Sequence, residues 1–123
     1  MTTAEFIDYI IEQTPASAGD TAAFFKHMLA DNSDEMLEQS VTKKKAALIL
    51  YAFIKDVLHL KDLDWGDAKA LKDIYDCRIC ANAIAQVCAR KLLYPEKEDV
   101  FGIENIMNDS QLYDAAGRLF ELT

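Results

Sequence analysis

The sequence predicts an all-α fold. Three observations carry that prediction: Gly and Pro are scarce, apolar residues recur at helical spacing, and capping residues stand just ahead of each recurrence. Only four Gly and two Pro occur in 123 residues, too few for the turns of an all-β chain. A hydrophobic fraction of 51% with a formal net charge of -8 suits a globular domain and excludes a disordered tail. The longest apolar run, which starts at Ala46, is far too short to cross a bilayer.

Each element has its own signal. Thr2 followed by Glu5 forms a capping box, and Phe6, Ile7, Ile10 and Ile11 predict a helix over Thr3 to Gln13, stopped by Pro15. After a small, polar turn from Thr14 to Gly19, Asp20 is placed to cap a second helix carrying Phe24, Phe25, Met28 and Leu29. Asp31 to Ser40 reads as a connector with a short turn at Met36 and Leu37. Thr42 then caps a helix from Lys43 to about Leu58, in which Ala46, Leu50, Phe53 and Val57, flanked by Ala47, Ile54 and Leu58, make a stripe broad enough for a central, buried helix. Lys61 to Asp67 breaks the pattern, and a short helix from Ala68 to Ile74 is expected. Asp76 is expected to cap a long segment from Cys77 to Leu93, closed by Pro95. Tyr94 to Met107 is irregular, with Phe101 and Ile103 pinning it to the core. Asn108 and Gln111 form another capping box, followed by Leu112, Ala115, Ala116, Leu119 and Phe120. No low-complexity linker divides the chain, so one domain spans 1–123, with halves 1–58 and 59–123, five main helices and one or two short ones.

Charge narrows the partners. An excess of eight carboxylates disfavours nucleic acid and anionic lipid, whose binding depends on Lys and Arg displacing counterions. The acidic groups fall in the connectors Asp31 to Glu38, Asp62 to Asp67 and Glu96 to Asp99. No secretory signal is read ahead of Phe6, which places the chain in the cytoplasm with Met1 as its natural start, or at the cell surface if a signal has been removed. The sequence does not speak to oligomeric state.

Catalytic readings fare poorly. Cys77-Arg78-Ile79-Cys80 could form a redox pair or half of a zinc site. At about 100° per residue, however, Cys77, Cys80, Ile84 and Cys88 share one apolar helix face, and Cys88 lies about 12 Å along the axis from Cys80. Buried, unpaired structural cysteines are expected, since three thiols do not resemble a disulfide framework. His27 and His59 read as structural. Without a phosphate loop, nucleophile elbow or metal-ligand spacing, the expectation is a non-enzyme with no cofactor, catalytic residue or metal.

Two segments share an outline: Val41-Thr42-Lys43-Lys44-Lys45-Ala46-Ala47 leading to Leu50 and Phe53, and Met107-Asn108-Asp109-Ser110-Gln111-Leu112-Tyr113 leading to Ala116 and Leu119. The offset is on the scale of a helix, loop and helix unit. With Asp73-Ile74-Tyr75-Asp76, Ala83-Ile84, Lys91-Leu92-Leu93 and Phe101-Gly102, residues 36 to 123 resemble the S-layer homology family. Its modules repeat about every sixty residues, and each carries a helix opened by an Ile-Thr-Arg-Ala-Glu motif. The resemblance implies SLH-like helix-loop-helix repeats and a non-catalytic module that holds an anionic cell-wall polysaccharide in grooves between units. Thr42 matches the family's Thr, Lys43 stands at its Arg, and Lys45 occupies its Glu position. In the second outline Asp109 replaces the Arg, which reverses the charge facing an anion.

The expected ligand site is therefore the groove at Thr42, Lys43 and Lys44, where a basic run meets the free amides of a helix N-terminus, edged by Trp65. Tyr75 and Tyr94 are further candidates for groove edges. A protein or polysaccharide partner is expected. The rival expectation is a cytoplasmic acidic regulator or inhibitor presenting Asp31, Asp34, Glu35 and Glu38 to a basic protein surface.

Overall fold

The computed structural model describes residues 1–122. Among the described residues six α-helices make up the fold: α1 (Thr3–Gln13), α2 (Ala22–Asp31), α3 (Asp34–Glu38), α4 (Lys43–Asp56), α5 (Arg78–Ala89) and α6 (Asp109–Phe120). Two 3-10 turns, Gly66–Ala70 and Asp73–Asp76, lie between α4 and α5, and among the described residues the only β pairing is in isolated bridges. The chain is all-α, as its patterning predicts.

α4 is the centre of the core. It packs most extensively on α5 and also meets α2 and α6. Half of its fourteen residues are buried, which is the broad stripe read from the sequence. Phe53 is fully buried and takes the ring of Phe24 from α2 at 5.5 Å and that of Phe120 from α6 at 6.2 Å, both edge-on. Burial of each such side chain stabilises the fold by roughly 1.5–3 kcal/mol. One cluster of buried side chains draws on α1, α2, α4, α5, α6 and the loop at Phe101.

Four helices have a side-chain cap from extended backbone, and three of them, leaving aside α3 with its Ser33, also share a pattern of burial. Thr2, Thr42 and Asn108 all cap from extended backbone, each accepting the N–H three residues on, at 3.1 Å from Glu5, 3.3 Å from Lys45 and 2.8 Å from Gln111. At the fourth and eighth positions past each cap stand Phe6 and Ile10, Ala46 and Leu50, and Leu112 and Ala116, all fully buried. The backbone links these starts in sequence. Thr2 bridges to Ser40, two residues before the next cap, and Thr42 bridges to Ile106, two residues before the last. The first helical N–H of α1 donates to Gln39 O and that of α4 to Asn105 O, both at 2.8 Å, so orphan amides of one helix are satisfied by the segment leading into the next. The outline seen at Val41 and Met107 thus has a third copy at Met1-Thr2-Thr3-Ala4-Glu5-Phe6.

Several boundaries differ from the sequence reading. Thr21 rather than Asp20 sits at the α2 cap, while Asp20 accepts the Ala22 N–H at 2.9 Å from one residue earlier. α4 stops at Asp56, short of Leu58, because the N–H groups of Val57 and Leu58 both turn back to Phe53 O and His59 adopts φ 53°. The short helix expected over Ala68 to Ile74 is instead two 3-10 turns, separated where Leu71 becomes extended. α5 begins at Arg78 rather than Cys77, has no side-chain cap, and ends at Ala89, four residues before Leu93, with Lys91 at φ 61°.

The cysteine expectation is corrected. Cys77 and Cys80 form a disulfide, and only Cys88 is free. Cys77 lies ahead of α5 in extended backbone (φ -130°), so its side chain does not follow the helical step and turns back onto Cys80. Cys88 is half-buried, and burial pushes its thiol up to about 11, leaving it protonated and a poor nucleophile at neutral pH.

Single polar side chains pin the loops. Buried Gln86 accepts the Leu63 N–H at 2.7 Å and donates to Leu63 O at 2.8 Å, clamping the segment after α4 onto α5. Asn82, one turn earlier, accepts from the Trp65 indole at 3.0 Å and donates to Tyr51 and Asp62.

Candidate functional site

The loop over residues 94–107 wraps the start of α4 and is shaped by one carboxylate. Asp73 accepts the backbone N–H groups of Phe101 and Gly102 at 2.8 Å and of Ile103 at 3.2 Å. Partial burial would raise the Asp73 pKa, but these donors outweigh it and hold the carboxyl below its usual range. Gly102 takes φ 87°, and a Cβ there would lie 2.5 Å from the Asn105 side chain, so the turn requires glycine.

Against this loop sits Lys43, the first residue of α4. Its ammonium donates to Tyr94 O at 2.7 Å and to Phe101 O, and lies 4.2 Å from the centre of the Phe101 ring. Burial pushes the Lys43 pKa below the usual lysine range, and the negative groups around it only partly offset that. Lys43 forms one wall of an open cleft of about 690 Å³ together with Tyr94, Asn105, Gln111, Asp114 and Arg118. Arg118, on α6, donates to Leu92 O at 3.3 Å with its guanidinium 5.3 Å from the Tyr94 ring. Both cations are held by backbone carbonyls, and among the described residues neither joins an ion pair.

Tyr94 and Pro95 also border a second cleft, of about 920 Å³, walled by Trp65, Leu71, Cys88 and Lys91. Trp65 lies here, its ring 6.3 Å from that of Tyr75.

The predicted site residues are therefore distributed. Thr42 and Lys43 stand together at the start of α4. Lys44 is paired with Glu104 and does not line the Lys43 cleft, while Trp65 lines the cleft beyond the Tyr94 and Pro95 ridge. Sequence reasoning missed Arg118, Gln111 and Asn105. The first two carried a signal: with Asp114 they form a polar stripe at helical spacing beside the apolar face of α6.

His27 bridges two elements, with its ring 2.7 Å from Asp31 and 2.8 Å from Asp56 of α4. The hydrogen bond to Asp56 raises its pKa, against a smaller opposing effect of burial. Among the described residues no group of three His, Cys, Asp or Glu side chains could hold a metal ion, and no helix is long and apolar enough to cross a membrane.

Charge is divided unevenly. The first forty residues carry eight carboxylates (Glu5, Asp8, Glu12, Asp20, Asp31, Asp34, Glu35 and Glu38) against Lys26 alone. The remaining residues carry thirteen acidic and twelve basic side chains, so the region around both clefts is close to neutral. Compared with known protein families, curated proteins and solved structures, the chain matches none of them.

Proposed function

We propose that the chain is a non-catalytic binding module of the kind its sequence resembles, the S-layer homology type, and that it holds an anionic cell-wall polymer in the cleft between α4, the 94–107 loop and α6. The observation that carries the reading is the pair Lys43 and Arg118. Both line one open cleft, and both are fixed by carbonyl oxygens rather than neutralised by carboxylates. A cation positioned in this way keeps its charge available to an incoming anion without reorganisation. The amides of Asn105 and Gln111 add neutral donors on the same wall, whereas Glu96 and Asp114 make the cleft selective for spaced rather than dense negative charge.

A polymer has room to continue. Beyond the Tyr94 and Pro95 ridge, Trp65 and Tyr94 offer aromatic faces suited to the apolar faces of sugar rings. The recurrence of capped helices at Thr2, Thr42 and Asn108, each tied to the next, supports a repeat-built module whose groove lies between units.

Isothermal titration with an anionic cell-wall polysaccharide tests the reading. Saturable heat is expected, weakened at least tenfold by Arg118→Gln and less by Trp65→Ala. No heat with any anionic polysaccharide removes the proposal.

A further inference from the structure

A second surface, at the other end of the charge distribution, carries an inference that does not rest on the cleft. α2 buries only Phe24 and Met28 of its ten residues. On its outer side Ala22, Phe25 and Leu29 fall on one stripe, with Phe25 42% and Leu29 51% exposed. Between α1 and the start of this stripe runs a groove of about 410 Å³ lined by apolar Ile11, Ala22 and Phe25 together with Asp8, Glu12 and Asp20, while Leu29 lies one turn further along α2, outside the lining. Among the described residues no Lys, Arg or His lines the groove. None of these three carboxylates joins an ion pair among the described residues.

We propose that this groove docks a basic amphipathic helix of a partner protein, whose apolar side chains cover Phe25 and Leu29 while its Lys or Arg side chains meet Asp8, Glu12 and Asp20.

The charge fixes the sign of the occupant. Three unpaired carboxylates line the groove beside apolar side chains in the third of the chain that holds eight acidic side chains and one lysine. His27 does not oppose the partner, because it faces Asp31 and Asp56; Lys26, beside the stripe on α2, is the one lysine or arginine of the first forty residues and a cation the partner must avoid. The apolar residues fix the form. Phe25 and Leu29 are one turn apart, and Asp8 and Glu12 are one turn apart on the neighbouring helix, which matches residues spaced one turn apart on a helix of two to three turns lying in the groove. Long basic side chains add to the fit by laying their methylene stems on the aromatic face and their charged heads on the rim. Steering by the surrounding negative field makes the association fast and salt-sensitive.

The test is fluorescence anisotropy of a labelled amphipathic helix of about fourteen residues, built from Leu and Lys, titrated with the full chain at about 50 and about 300 mM NaCl. Micromolar binding is expected at low salt, weakened several-fold at high salt. The double variant Phe25→Gln with Leu29→Gln and the double variant Asp8→Asn with Glu12→Gln are each expected to lose at least tenfold. Both pairs are exposed, and if the apolar pair disturbs folding by circular dichroism, the isosteric acidic pair decides alone. The proposal is overturned if the peptide does not bind, if the acidic double variant binds as well as the parent, or if a Lys and Gly peptide of equal charge binds equally tightly.

Discussion

Residues 1–40 and residues 41–122 are held in place by different means. In the first region the ties are mainly apolar anchors such as Phe6, Ile10, Phe24 and Met28, with a backbone bridge at Thr2, the bond from Thr3 to Gln39 O and two single charged contacts, His27 to Asp56 and the Met1 amine to Asp109. In the second, Asp73, Gln86 and Lys43 each fix a loop through two or three bonds to main-chain groups. Nearly all the net charge lies in the first region, and nearly all the multivalent polar contacts lie in the second. The lesson is that side chains engaged with the backbone hold a loop in one shape, whereas unpaired surface carboxylates hold nothing and remain free for a partner.

Substitutions that exchange these properties should have very different costs. Asp73→Ala removes the acceptor of three N–H groups and should destabilise by about 3 kcal/mol, because bonds to a charged group are worth roughly 1.5–3 kcal/mol and their donors are left half-buried. Urea unfolding followed by circular dichroism measures this, and a loss below about 1 kcal/mol would show that the loop is held by Phe101 packing alone. Gln86→Leu keeps the volume but strands both the N–H and the C=O of Leu63, at about 2 kcal/mol. Cap removal compares the two regions directly. Thr2→Ala and Thr42→Ala should each cost about 1 kcal/mol, with the larger loss at Thr42, since its helix contributes seven buried residues to the core against four for α1.

The pH profile separates the regions again. The Asp73 carboxyl titrates below its ordinary value in the folded chain. Its stabilisation is therefore complete above the unfolded pKa, near 4, and is lost as pH falls through the folded value. His27 runs the other way. Its folded pKa is raised, so its stabilisation is complete below the unfolded pKa, near 6.5, and fades as pH climbs through the folded value. With its side chain 43% exposed, solvent screening limits that contribution to under about 0.5 kcal/mol. Midpoints collected from about pH 2 to 9 should show an acid limb made shallower by Asp73→Asn, with Glu5 and Asp62 still contributing to it, and a shallow alkaline slope reduced by His27→Gln. Smallest of all, Asp8→Asn with Glu12→Gln should leave stability within about 0.5 kcal/mol, on the favourable side if like-charge repulsion is relieved.

The sequence made the local features legible. α1 was bounded to the residue because Thr2, Glu5 and Pro15 are all local signals, and the cap of α6 was found from Asn108 and Gln111. What escaped depended on distant partners. Nothing near Lys43 shows that its ammonium meets Tyr94 and Phe101, which are 51 and 58 residues away. Trp65 reads as the edge of the groove at Thr42, Lys43 and Lys44, but the fold puts the Tyr94 and Pro95 ridge between it and Lys43. The Cys77 to Cys80 disulfide escaped although helical angles put both residues on one face, because an odd number of thiols with apolar neighbours argues for unpaired cysteines, and nothing local shows that Cys77 stays outside α5 in extended backbone, free to close onto Cys80.

The bridges that join each helix start to the next have a consequence for the order of assembly. α4 contributes seven buried residues to the core, yet its first two N–H groups are satisfied by Asn105 and Ile103. During synthesis from the N-terminus, α1 can close its junction once residues 39 and 40 have emerged. α4 must wait for more than sixty further residues, with its apolar face open until α5 and α6 arrive. The core therefore forms late, through contacts distant in sequence, and folding should be slower than six short helices alone would suggest.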